Sequence, residues 1–174
     1  MSHYPFEPDP DKNAFVFTTH SGWLYSLSLN DSSSYFADNE ILYNKKLVFE
    51  ICFNRSAINE TIPKKGTDIL IQETILAILL HHFEDKGHLP LYIFICYAGD
   101  GKEAARLNMF FKWFEAADTN KWQLYGYDLS DSKSKIYYGL FINEQHPFAS
   151  KIPDEFEHFV QNEKSAWKEL LRRR

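Results

Sequence analysis

The sequence predicts a single α+β domain: a mostly antiparallel sheet of five or six strands with three helices, in the order β-β-β-α-β-α-β-β-α. Three observations lead there. Apolar residues alternate with period two in runs before residue 54 and after residue 120, as strands require. Helical periodicity is concentrated in three segments, 67–84, 102–117 and from Pro153 onward. Between the first two helices lies Leu-Tyr-Ile-Phe-Ile-Cys-Tyr at 91–97, a short continuous apolar run that reads as a central strand covered on both faces. Runs of strands with interspersed helices suggest an antiparallel sheet with its helices on one face. The strand at 91–97, set between two helices, is open to parallel pairing with one neighbour, which makes the sheet mixed.

Taken in order, residues 1–12 read as a loose polar leader. Phe15 and Phe17 then share one face of a strand over 14–19. His20-Ser21-Gly22 turns the chain, and Trp23, Tyr25, Leu27 and Leu29 alternate along the return strand, so 14–29 forms a hairpin. Tyr35-Phe36 adds a short strand or covers the core. Leu47, Phe49, Ile51 and Phe53 give strict alternation over 46–53. After a loop to Gly66, Thr67 reads as the cap of a helix whose buried stripe is Ile71, Ile75, Ile78, Leu79 and Phe83. Gly87 and Pro90 end it. Ala98-Gly99-Asp100-Gly101 turns the chain into the second helix, with Ala104, Leu107, Phe111 and Phe114 as its core stripe. Two strands at 121–129 and 135–142 make a second hairpin. Pro153 opens the last helix, where a first-turn proline is tolerated, and Phe156, Phe159, Val160, Trp167, Leu170 and Leu171 form its apolar face.

The chain has 174 residues, which suits one domain. Aromatics make up 17% of it, enough for a well-packed core without disulfides or metal. The net charge of −5 argues against a general nucleic-acid binder, since phosphate contacts need a basic surplus. Cys52 and Cys96 sit in apolar alternating runs and read as buried thiols. Residues 1–11 lack a basic segment followed by an apolar one, and no apolar run is long enough for a membrane span. A cytoplasmic protein is the expectation, and the Asn-x-Ser/Thr triplets at Asn30 and Asn59 then carry no meaning as glycan sites.

One set of segments adds a resemblance. Thr74-Ile75-Leu76-Ala77-Ile78-Leu79, Phe83-Glu84, Tyr92-Ile93-Phe94-Ile95-Cys96, Asp100-Gly101-Lys102, Ala105-Arg106 and Phe111-Lys112-Trp113-Phe114 follow one another in a familiar order. Together they resemble a family of small bacterial proteins known only as a domain of unknown function. That pattern is a Thr-Ile helix, a Tyr-Ile-Cys strand, an Asp-Gly-Arg turn and an Arg-containing helix closing on Trp-Phe. The resemblance extends to the hairpin at 17–25 and to the strand and Pro-Phe loop at 137–148. The chain departs from it with Lys102 in place of Arg and with Tyr97-Ala98-Gly99 in place of a more polar turn. Lys is a point charge and cannot supply a guanidinium fork. The resemblance implies the fold and no activity.

The turn at 98–102 is the leading candidate site. A Gly-rich turn before a helix exposes backbone N–H groups at the positive end of the helix dipole. Lys102 and Arg106, four residues apart, fall on one side of the first turns. Gly99, Asp100, Gly101, Lys102 and Arg106 are therefore the candidate anion-binding residues. The stretch is no P-loop: Cys96 stands where the first glycine belongs, and Glu103 replaces the Ser/Thr. Nor is it G-x-G-x-x-G, since Ala104 holds the last glycine position. The plain alternative is a tight turn with Asp100 as the helix cap. Phe110 and Trp113 lie off the core stripe and are the candidate partner-binding residues, with packing under the sheet or the last helix as the alternative.

No residue is assigned a catalytic role, and no metal or cofactor site is expected. His81 and His82 point about 100° apart on a helix and make a poor ligand pair even with His88, Glu84 or Asp85. His146 and His158 are isolated. Cys96 lies inside an apolar strand, which suits packing better than nucleophilic attack. The serines fall in turns, without a Gly-x-Ser-x-Gly elbow. The profile favours a non-enzymatic protein that binds another macromolecule, in first place a protein, and an antitoxin-like, immunity-like or defence-accessory role fits it. A homodimer stays open. The rival is an anion or nucleotide site at 99–106, enzymatic or not. A weaker third reading is nucleic-acid binding through Arg106, Lys112 and the Arg172–Arg174 tail.

Overall fold

A computed structural model describes residues 2–58, 68–96, 101–116, 122–130 and 135–172, with side chains in the last helix described as far as Asn162. Seven strands form one sheet: β1 (Phe6–Asp9), β2 (Ala14–Thr18), β3 (Trp23–Asp31), β4 (Val48–Ala57), β5 (Leu91–Cys96), β6 (Trp122–Asp128) and β7 (Tyr137–Asn143). The helices are α1 (Glu40–Lys45), α2 (Ile69–Asp85), α3 (Glu103–Ala116) and α4 (Ile152–Arg172), with a 3-10 turn at Ser33–Phe36. The sheet order is β1-β2-β3-β4-β5-β7-β6. Every pairing is antiparallel except β4 with β5, which pair in parallel at Val48–Leu91, Phe49–Tyr92 and Glu50–Ile93. The crossover between those two strands is the path that carries α2. The α+β class and the mixed sheet are as the sequence predicts.

The leader does not stay loose. Tyr4 is 3% exposed, its backbone N–H donates to Thr74 Oγ1 at 2.9 Å, and its hydroxyl donates to Asp68 Oδ2 at 2.6 Å. These bonds tie the segment to α2 and let residues 6–9 add an edge strand to β2. That is the seventh strand the sequence reading lacks. Tyr35-Phe36 becomes the 3-10 turn rather than a strand, with Phe36 3% exposed. The short α1 has no apolar periodicity long enough to announce it. Its cap does: Asn39 accepts from Leu42 N at 3.2 Å, and Lys46 closes the helix in the left-handed region at φ 51.

One helix end and one helix face are also corrected. Asp68, not Thr67, caps α2, accepting from Leu70 N at 3.0 Å; Thr67 itself lies outside the described residues, as do Tyr97 to Asp100 and the Trp167, Leu170 and Leu171 side chains. The α2 stripe is as expected, with Ile75, Ile78, Leu79 and Phe83 buried. On α3 the stripe is rotated: Glu103, Phe110 and Phe114 are buried, Leu107 and Phe111 flank them, and Ala104 faces solvent.

Helices cover both faces of the sheet, not one. Along β5, Tyr92, Phe94 and Cys96 face the layer under α2 and α3, while Leu91, Ile93 and Ile95 face the layer under α4 and the 3-10 turn. A strand apolar at every position needs cover on both sides. Phe94 sits at the centre of the first layer, its ring 4.4 Å from Phe110 and 5.0 Å from Phe141, which stacks at 3.9 Å on Phe114. Gly139 makes room for it: a Cβ there would lie 2.1 Å from the Phe94 ring. Gly126, paired opposite Gly139, does the same for Phe111.

Candidate functional site

The described part of the 99–106 turn is built around a carboxylate. Gly101 adopts φ 75, which favours glycine. Two residues on, Glu103 opens α3 and is 1% exposed, and its Oε1 accepts from Gly101 N at 3.3 Å. The helix start therefore already carries a buried carboxyl group, one oxygen of which accepts from the turn's own backbone. Lys102 is exposed and Arg106 half-buried; Lys102, Glu103 and Arg106 each have partners in the folded chain. Gly99 and Asp100 lie outside the described residues.

Below the turn, Cys96 is 3% exposed. Burial pushes its thiol up to about 11, with Arg106 pulling it down and Glu103 pushing it up. Such a thiol is protonated near neutrality and a poor nucleophile. Cys52 is half-buried on the other face; burial first, then Glu50, pushes it up to about 11.

In the sequence Glu103 stands out only as a departure from the Ser/Thr of a P-loop. A usable signal is there: Asp100 followed three residues later by Glu103 has capping-box spacing.

Of the candidate anchors, Phe110 is 4% exposed, packed against Phe94 and edge-on to Phe53 at 5.6 Å. It is a core residue, which corrects the partner-binding reading for that side chain. Trp113 is half-buried and leans edge-on against Phe110 at 5.5 Å.

The histidines separate by burial. His82 is 9% exposed, with Nδ1 2.9 Å from the Tyr92 hydroxyl, which donates to Leu79 O at 3.3 Å. Burial pushes its imidazole down to about 4. His146 is 5% exposed; Nδ1 accepts from Phe148 N at 3.2 Å, which leaves Nε2 to donate to Leu89 O at 3.1 Å. Burial lowers it as well. His81 and His88 are exposed. Among the described residues, no group of three or more His, Cys, Asp or Glu side chains is arranged to hold a metal ion. No helix among them is long and apolar enough to cross a membrane.

A second site has no counterpart in the sequence reading. Between the 3-10 turn, the residues leading into α1, and the first turns of α4 lies a hollow of about 440 Å³. Tyr35, Phe36 and Phe159 give it an aromatic floor; Asp38, Asp154 and Glu155 give it carboxylates. Tyr35 and Phe159 stack at 4.4 Å. Asn39, which caps α1, also donates Nδ2 to Glu155 Oε2 at 3.1 Å, and Phe36 stacks on Phe156 at 5.7 Å. These contacts fasten the walls together. The hollow joins residues about 120 positions apart in the chain, so no local pattern could reveal it.

No curated protein and no solved structure matches the chain. A family model does match, over residues 67–158, from just before α2 into the α4 wall of the hollow. It takes in the Tyr-Ile-Cys strand, the Lys102–Arg106 region and the loop at 137–148; the hairpin at 17–25, included in the resemblance, falls outside it. The matched stretch is more than half of the 174 residues, and the chain belongs to the family of unknown function DUF6169.

Proposed function

We propose that this chain is a non-enzymatic binding protein whose partner is another macromolecule, in first place a protein. The observation that carries the reading is the hollow at the seam of the 3-10 turn and α4. It is a fastened recess with an aromatic floor and polar rim, the composition of a recognition site. The groups best suited to chemistry point the same way. Cys96, His82 and His146 are buried, and each is pushed toward its uncharged form. At the α3 start, Glu103 opposes the rival anion or nucleotide reading, because a second negative charge there meets a buried carboxylate. Antitoxin-like, immunity-like and defence-accessory roles all suit such a protein.

The test is co-purification followed by reconstitution from two purified components. A specific complex with a micromolar or tighter Kd is expected. Substrate turnover by the purified chain that Lys102→Ala abolishes would overturn the reading.

A further inference from the structure

We propose that the hollow between the 3-10 turn and α4 is the docking site for an arginine-bearing segment of a protein partner. The inference rests on the binding-protein reading and adds the partner's chemistry. Its first ground is charge. Asp38, Asp154 and Glu155 line the hollow; among the described residues no Lys or Arg does, and His158 is the basic side chain beside them. Among the described residues none of the three is in an ion pair. Asp154 and Glu155 lie in the first turn of α4, where they answer the helix dipole. Asp38 comes from a different segment, one residue before the α1 cap Asn39 and outside the first turn of any helix. Folding brings it to the same recess as the other two carboxylates, a lining complementary to a cation.

The second ground is shape and surface. The Tyr35–Phe159 stack presents aromatic surface beside those carboxylates. A guanidinium lies flat on aromatic rings while its fork meets a carboxylate; an ammonium does only the second. The volume of about 440 Å³ exceeds one side chain and leaves room for flanking residues. Asn162, also in the lining, has its Nδ2 3.4 Å from His158 Nδ1 and offers its amide oxygen to a peptide backbone. The carboxylates repel a phosphate backbone, so nucleic acid does not fit this recess.

The experiment uses the full chain and three fluorescently labelled twelve-residue Gly/Ser peptides carrying three arginines, three lysines or three glutamates. Anisotropy should show the arginine peptide binding tightest, the lysine peptide more weakly and the glutamate peptide not at all, with affinity falling as salt rises. Asp38→Asn with Asp154→Asn should weaken the arginine peptide about fivefold to tenfold. Tyr35→Leu should narrow its advantage over lysine. Glu7→Gln with Asp9→Asn, on the distant β1, is the charge control and should change nothing; melting curves confirm that each variant folds. No binding of the arginine peptide, equal binding of all three, or equal loss in the control overturns the proposal. A reconstituted partner that binds wild type and the Asp38/Asp154 variant equally overturns the docking chemistry alone. Turnover dependent on Lys102 overturns the binding-protein reading itself.

Discussion

On the face under α2 and α3, every strand from β1 to β7 contributes to one continuous apolar layer; on the face under α4, the cover by described residues stops at β4. Beyond that line β3 and β4 present Ser26 opposite Asn54, Ser28 opposite Cys52 and Asn30 opposite Glu50, small or polar and half-buried to exposed. The first face commits its side chains to stability. The second keeps its hollow at the margin of its helices, where a rim can stay charged.

The strongest way to break this contrast is to empty the covered face. Phe94→Ala removes the ring between Phe110 and Phe141 and should cost about 3–5 kcal/mol, whereas Ser26→Ala on the open face should stay within about 0.5 kcal/mol. Denaturant unfolding measures both. Similar costs would mean that the two faces are not built differently.

Overfilling the same place comes next. Gly139→Ala puts a methyl 2.1 Å from the Phe94 ring, and the packed neighbours leave that ring little room to retreat. A loss of about 1–3 kcal/mol is expected, read as a lower Tm. A neutral result would show that Phe94 has another rotamer available.

Acid sharpens the comparison through His82, which belongs to the covered face. Its folded value is near 4 against an ordinary 6.5, so between those limits the unfolded chain binds more protons. The stability contributed by neutral His82 is complete above about 6.5 and is lost as pH falls toward about 4. His146 acts in the same direction. His82→Gln should flatten this part of the stability–pH curve without abolishing the slope. An unchanged slope would show that His82 is not the group being protonated.

These effects also mark how much was legible. The covered face could be read because period-2 and period-3.6 patterns report burial directly: β4, α2 and β5 stand at or near the expected residues. The rotation of α3 escaped because Glu103 is charged yet buried, and Ala104 is apolar yet exposed. One-sided cover was a wrong inference from element order, although the unbroken apolar run at 91–97 already required two-sided cover. The edge strand β1 escaped because Tyr4 is held by Thr74 and Asp68, partners more than sixty residues away. The glycines of the turn at 98–102 are a local signal. The hollow, with walls contributed by residues 34–39 and 154–162, has none.

The smallest effect separates a rim shaped for a partner from one shaped for the fold. Asp154, in the first turn of α4, complements the dipole, so Asp154→Asn should cost about 0.3–1 kcal/mol. Asp38 lies outside the helices, one residue before the α1 cap Asn39, and shares the hollow with two carboxylates. Asp38→Asn should therefore leave stability unchanged within about 0.5 kcal/mol, or raise it slightly, as salt screening of the wild type should also do. Careful melting curves at low and high salt resolve the two signs. If Asp38→Asn instead costs more than Asp154→Asn, Asp38 holds the fold together. Its negative charge would then need no cationic partner to explain it.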